Sequence, residues 1–399
     1  MKKASFCICF SAVLSLFVLY PCFGEEYFVL GKEQGDGELI FPRQVEEGPD
    51  GNIYVYDQSD AYIKVYSPEG KYLRRIGGSG QGPGEIQRAS GVSLGFTPSG
   101  KLFFTEFIGG HRWITFMELS GEFYKVLKLE INEVFGIIDS FFLKDGGFLV
   151  EVSYMSFPEK KKDFFLYRTP HALIMFNSKG QIISEIIKTN HITRISYISD
   201  GADLELPFIP VFEWIPFEKN TVIFTDGLSK NLRVYDHKGT LIREIRTLLP
   251  SPEKVTSEDL KRWREERKEM IRDKAWYERF GTVIEKYKKS IYEKIPILSG
   301  ISLTPEGNIL VSGHWNSENN MIDSWLLGKN GKEMAKIALE ALVLNVSKHF
   351  IFLSIENEDG IIHVYCVKRR GSEEEDLLKL RGLEFLGHHQ SYAEQRQHP

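Results

Sequence analysis

Cysteine is almost absent from this chain. Of four cysteines in 399 residues, Cys7, Cys9 and Cys22 crowd the first 22 positions, which leaves Cys366 alone. A disulfide framework is therefore excluded, and the fold has to be held by its core. Excess positive charge is missing as well, with 50 Lys and Arg against 55 Asp and Glu and a formal charge of −5. That balance argues against a nucleic-acid surface or an anionic membrane patch. Three chemical signatures are also lacking: G-x-S-x-G, H-E-x-x-H and the EF-hand loop do not occur. The Gly-rich run Gly77 to Gly84 has no following Lys-Ser/Thr and opens no helix, so it reads as a connector, not a phosphate loop.

The N-terminus carries the marks of export. Lys2 and Lys3 precede the apolar run Phe6 to Tyr20, which is too short to cross a bilayer comfortably, and Gly24 offers a cleavage point before Glu25. Residues 1–24 are expected to be a signal peptide, and their removal takes the charge from −5 to −7. Leu19, three residues before Cys22, fits a lipoprotein signal, but Pro21 beside the Cys does not. The expectation is a periplasmic or secreted protein. Membrane association arises only in the alternative of lipidation at Cys22.

What is present is a repeat. Residues 41–77 give an apolar strand, a tight turn, the alternating strand Ile53 to Asp57, a third strand Tyr62 to Tyr66, a Pro-Glu-Gly turn and a fourth strand Tyr72 to Ile76. The first turn returns at Thr97-Pro98-Ser99-Gly100, Lys144-Asp145-Gly146-Gly147, Glu218-Lys219-Asn220, Thr304-Pro305-Glu306-Gly307 and Ser347-Lys348-His349. Four short antiparallel strands at a period of about 40–50 residues are the signature of a propeller blade. The expectation is an all-β, six-bladed β-propeller over 25–370, with a C-terminal tail over 371–399 that is partly disordered. Tyr27 to Gly31 has the character of the fourth strand that blade six lacks, so the N-terminus is expected to close the ring. Leu377–Leu386 is the alternative closing strand.

The segments Gly51 to Asp57, Ile63 to Tyr66 before its Pro-Glu-Gly turn, and Gly80 to Glu85 resemble the NHL-repeat family of six-bladed propellers. The resemblance covers roughly 27–370 and weakens after blade two; blade three has Glu151-Val152 where the repeat acid would fall, and blade five has Gly313. It implies an exported bacterial propeller that binds ligands or proteins. Some enzymes of related propeller folds, such as streptogramin lyases and lactonases, place His or carboxylates in the central channel.

Extra length falls at 152–170, 188–210 and 248–296, all on the face opposite the tight first turns. Loops stay short unless length has a use, so recognition is expected on that insertion-bearing face. Thr256-Ser257-Glu258-Asp259 is a capping signal for an α-helical insertion over 253–294, between blades four and five. Candidate ligand-binding residues on the rim are Asp57, Glu106, Arg112, Asp226, His314 and Trp315, with His111 nearby. Acids at one rim can gather a divalent cation, whereas the plainer reading is a repeat acid that accepts bonds from its own loop. First strands place Arg43, Gln44, Glu46, Ser90, Asp139, Glu213, Ser302 and Asn345 along the channel. The function expected is recognition of a protein, peptide or glycan, without cofactor. The alternative is a channel-sited, metal-dependent lyase or lactonase-type hydrolase using Ca or Zn.

Overall fold

Short β-branched and aromatic strands, punctuated by Gly and Asn at positive φ, fold as six antiparallel sheets. The computed structural model describes residues 27–32, 35–87, 92–107, 110, 112–154, 157–160, 164–197, 203–268, 292–316, 321–356 and 362–380. The signal segment 1–24 and Cys22 lie outside these residues. Blade one runs Pro42–Glu47, Ile53–Asp57, Tyr62–Tyr66 and Tyr72–Gly77 from the channel outward. Blades two, four and five repeat that order, and the whole is a six-bladed β-propeller.

Each core cluster lies between two consecutive blades. Tyr54, Ile63 and Val65 of blade one meet Leu94, Leu102 and Phe104 of blade two. Equivalent apolar seams join two to three, three to four, four to five and five to six. The last seam places Val45, Ile53 and Val55 of blade one against Phe350, Phe352 and Val364 of blade six. The ring is therefore closed by packing on every side. The turns help to set the spacing: Gly331 has φ +83°, and a Cβ there would lie 2.3 Å from the Arg246 carbonyl of the preceding blade.

Closure follows the N-terminal expectation. Tyr27–Leu30 pairs antiparallel with Ile362–Lys368 as the outer strand of blade six, Tyr27 opposite Val367 and Leu30 opposite Val364. The rival segment does not supply the strand within its described part. Glu373–Lys379, assigned by sequence to the tail, is a helix with a full Ser372–Glu375 capping box. Its Leu377, with Leu380, joins the core between blades five and six.

Blade three departs from the expected loops. Phe164–Phe176 and Ile182–Tyr197 form one long hairpin, paired from Phe164 opposite Tyr197 to Phe176 opposite Ile182. Phe157–Lys160 and Asp203–Glu205 add two short strands to it. Much of 152–170 and 188–210 is thus strand satisfying its own backbone, not loop. In sequence the two halves stand apart and read as separate insertions; together they are one ribbon.

The third insertion leaves the ring through a stem. Val255 donates to the Glu293 carbonyl at 2.9 Å, and Ile295 donates to that of Glu253 at 3.0 Å. Helix Ser257–Lys268 starts where Thr256 and Asp259 exchange bonds, Thr256 Oγ1 donating to Asp259 Oδ2 at 2.6 Å. The rest of the expected helical segment, 269–291, lies outside the described residues.

Candidate functional site

The rim acids do not converge. Asp57 ends the second strand of blade one and is fully buried. It accepts from the Ile40 and Phe41 amides at 2.9 and 3.0 Å, from Ser59, and from Lys64 Nζ at 3.0 Å. Burial opposes its charge, but the bonds from Ser59, Ile40 and Lys64 outweigh burial and hold the carboxyl below its ordinary pKa. Glu106 occupies the same place in blade two and accepts from the Gln87 amide at 2.7 Å; burial raises it to about 7, with that bond opposing. Asp226 repeats the arrangement in blade four, accepting from the Leu228 amide and from Arg233 at 2.6 Å. In blades one and four the cation stands seven residues after the acid. Asp57 and Glu106 pin the incoming chain of their blades, and Asp57 and Asp226 accept from the loop that follows each of them, the plainer of the two sequence readings for those two.

The other rim residues are also scattered. Arg112 Nη1 donates to the Ile131 carbonyl at 2.7 Å and to Asn132, tying down the link to blade three. His314 is exposed at the bulge of the blade-five strand Ile309–Asn316. The protein packed around its ring lowers its pKa, and the Leu298 carbonyl opposes that shift. The backbone of Trp315 pairs with Ile322; its side chain, like His111, lies outside the described residues. Among the described residues, no group of three or more His, Cys, Asp or Glu side chains is disposed to hold a metal ion.

The channel residues form a belt between blades. Asn345 Nδ2 donates to Glu46 Oε2 at 2.8 Å, from blade six to blade one. Gln44 exchanges two bonds with the backbone of Leu94, from one to two. Ser93 Oγ donates to Asp139 Oδ1 at 2.6 Å, from two to three. Trp214 Nε1 donates to Glu151 Oε2 at 2.9 Å, from four to three, and the Ile301 amide of blade five donates to Glu213. Burial raises Glu46 to about 7 and Glu213 to about 8, the latter helped by the charge of Glu151; Asp139 and Glu151 are raised too. Arg43 is exposed instead, donating to Gln58 at 2.8 Å with its guanidinium over Phe41. Ser90 lies outside the described residues.

The sequence reading missed His171 as a partner of the channel. His171 Nδ1 lies 3.1 Å from Glu151 Oε1, in the long hairpin and not in a loop. Three aromatic residues in or beside the insertions are engaged internally: Phe212 packs on His171 and Phe224, Trp214 is buried, and Tyr167 lies under Arg194.

An opening with room for a ligand lies on the opposite face. A cavity of about 890 Å³ is walled by Phe96, Phe141, Phe142, Leu149, Met175, Pro216, Phe217 and Leu303. Its mouth is made by the first turns themselves: Thr97-Pro98, Lys144-Asp145 and Glu218 to Asn220, with His237 of a third-to-fourth-strand turn. None of these residues belongs to the three insertions, so this cavity lies away from the face on which recognition was expected. A signal was available in the repeat. The residue closing the first strand is Phe96, Phe142, Phe217 and Leu303 in blades two to five. In blade one it is Glu47, which is bonded to Ser347 and His349, so that side of the rim is polar and filled.

No protein-family model matches the chain. No curated protein matches it either. Among solved structures, it is similar to a protein from Bacteroides fragilis described as exported, at 11% identity over 86% of this chain and 95% of that one, with a TM-score of 0.47. A DUF4221 family member from Bacteroides vulgatus gives 12% identity, 86% and 95% coverage, and 0.47. Virginiamycin B lyase from Staphylococcus aureus gives 12%, 85% and 98%, and 0.40. At such identities and scores these neighbours contribute nothing to a functional assignment.

Proposed function

We propose that the chain is an exported propeller that binds a ligand with an apolar body, and that its site is the cavity among the first turns of blades two to five. The cavity carries this reading: about 890 Å³ with aromatic and aliphatic walls falls within the roughly 300–1,000 Å³ typical of ligand pockets. Phe141, at 43% exposed, offers a large, partly uncovered apolar side chain in its wall. Titration of the purified protein with the neutral dye Nile red should give saturable, blue-shifted fluorescence at one dye per chain. Weak, unsaturable binding would sink the assignment.

A second reading, catalysis in the channel, is favoured by the Glu151–His171 pair. A carboxylate that orients an imidazole is the geometry of a general base. Glu213, raised to about 8, would still hold its proton at neutral pH and supply an acid. A structure of the Glu151→Ala variant in which the His171 ring keeps its orientation would remove the support for this reading.

A further inference from the structure

The mouth of the cavity carries four charges that are not equivalent. Glu218 is paired with Arg243 at 3.1 Å, and Asp145 turns back to accept the Gly147 amide at 3.2 Å. Lys144 and Lys219, exposed on neighbouring blades, enter no ion pair among the described residues. Two cations without an ion pair among the described residues therefore stand at the edge of an apolar chamber, beside Glu218, which is paired with Arg243, and Asp145, which keeps its charge. An anion held there would have its body directed onto Phe141, Phe142, Met175 and Phe217.

Resting on the cavity reading, we propose that the ligand is an anionic amphiphile of the long-chain carboxylate class. Its alkyl body lies against the aromatic wall, and its head is met by Lys144 and Lys219. Charge complementarity chooses the head group; wall chemistry chooses the tail. Neither lysine side chain enters a hydrogen bond or ion pair among the described residues, so reversing both should leave the fold intact.

The test uses the full mature chain with oleate and oleyl alcohol, each competing against Nile red. Oleate is expected to bind more tightly than the alcohol and to weaken as salt rises. Lys144→Glu with Lys219→Glu should weaken oleate about tenfold or more and leave the alcohol within about twofold. Equal binding of acid and alcohol, or no effect of the double reversal on oleate, would overturn the head-group assignment and leave the cavity standing. Displacement by neither lipid, with Nile red still bound, would overturn the lipid class. Absence of saturable Nile red binding would instead overturn the cavity itself.

Discussion

The two faces of the ring spend their residues differently. The insertion face holds the extra length, yet that length is committed to itself. A long hairpin satisfies its own backbone, a stem returns the helical excursion to its starting point, and buried acids grip the incoming strands. The opposite face has only tight turns, but those of blades two to five surround a chamber whose walls are Phe, Leu, Met and Pro. Chain length signalled elaboration of the scaffold. The cavity proposed as the site is marked by side-chain chemistry at one repeat position.

The largest effect expected from breaking this contrast comes from the insertion side. Lys64→Met leaves Asp57 buried without its cation, and the loss should be about 3–5 kcal/mol in urea unfolding. Lys219→Met at the turn face should change stability by less than about 0.5 kcal/mol. Comparable losses from the two would mean that the faces are not divided into scaffold and site.

The channel between the faces should give the next largest effect, through pH. In the channel Glu46 is raised to about 7 and Glu213 to about 8, and on the rim Glu106 is raised to about 7, so folding favours their protonated forms. The stability they contribute is complete below about 4.5 and is lost as pH rises through 7 to 8. Asp57, shifted downward, acts oppositely and loses its contribution only as pH falls through the acid range. The melting midpoint should therefore be higher at pH 5 than at pH 8, and Glu46→Gln with Glu213→Gln should flatten that slope. A midpoint that climbs from pH 5 to pH 8 would contradict the belt of protonated acids.

The smallest effect should follow excision of the helical excursion. Replacing 256–292 by a short Gly-Ser bridge rejoins ends that already pair at Lys254 and Lys294. The unfolding transition should stay cooperative with little change in midpoint. Loss of cooperativity would show that the excursion belongs to the core.

Blade number, turns and ring closure were legible because each depends on local pattern. Gly and Asn mark the turns, alternation marks the strands, and Tyr27 to Leu30 has the same alternation as the strands it completes. The role of Asp57 was legible as a repeat feature, but its partner Lys64 was not, since a lysine in a strand reads as solvent-facing and is here 2% exposed. The long hairpin was missed because its two halves lie on either side of the Ser178-Lys179-Gly180 turn and were measured as separate loops. The cavity was missed for another reason: Phe96, Phe142 and Phe217 look like ordinary core residues in any one blade. Only the ring brings them round one opening.

The central claim is that recognition belongs to the turn face, and one binding comparison tests it most directly. Nile red titrations would be run in parallel on the wild-type chain, on Phe141→Asp, and on the chain lacking 256–292. The account predicts that Phe141→Asp abolishes saturable binding while the deletion leaves the dissociation constant within about twofold. Binding that survives Phe141→Asp but disappears with the excursion would place the site on the insertion face and contradict it.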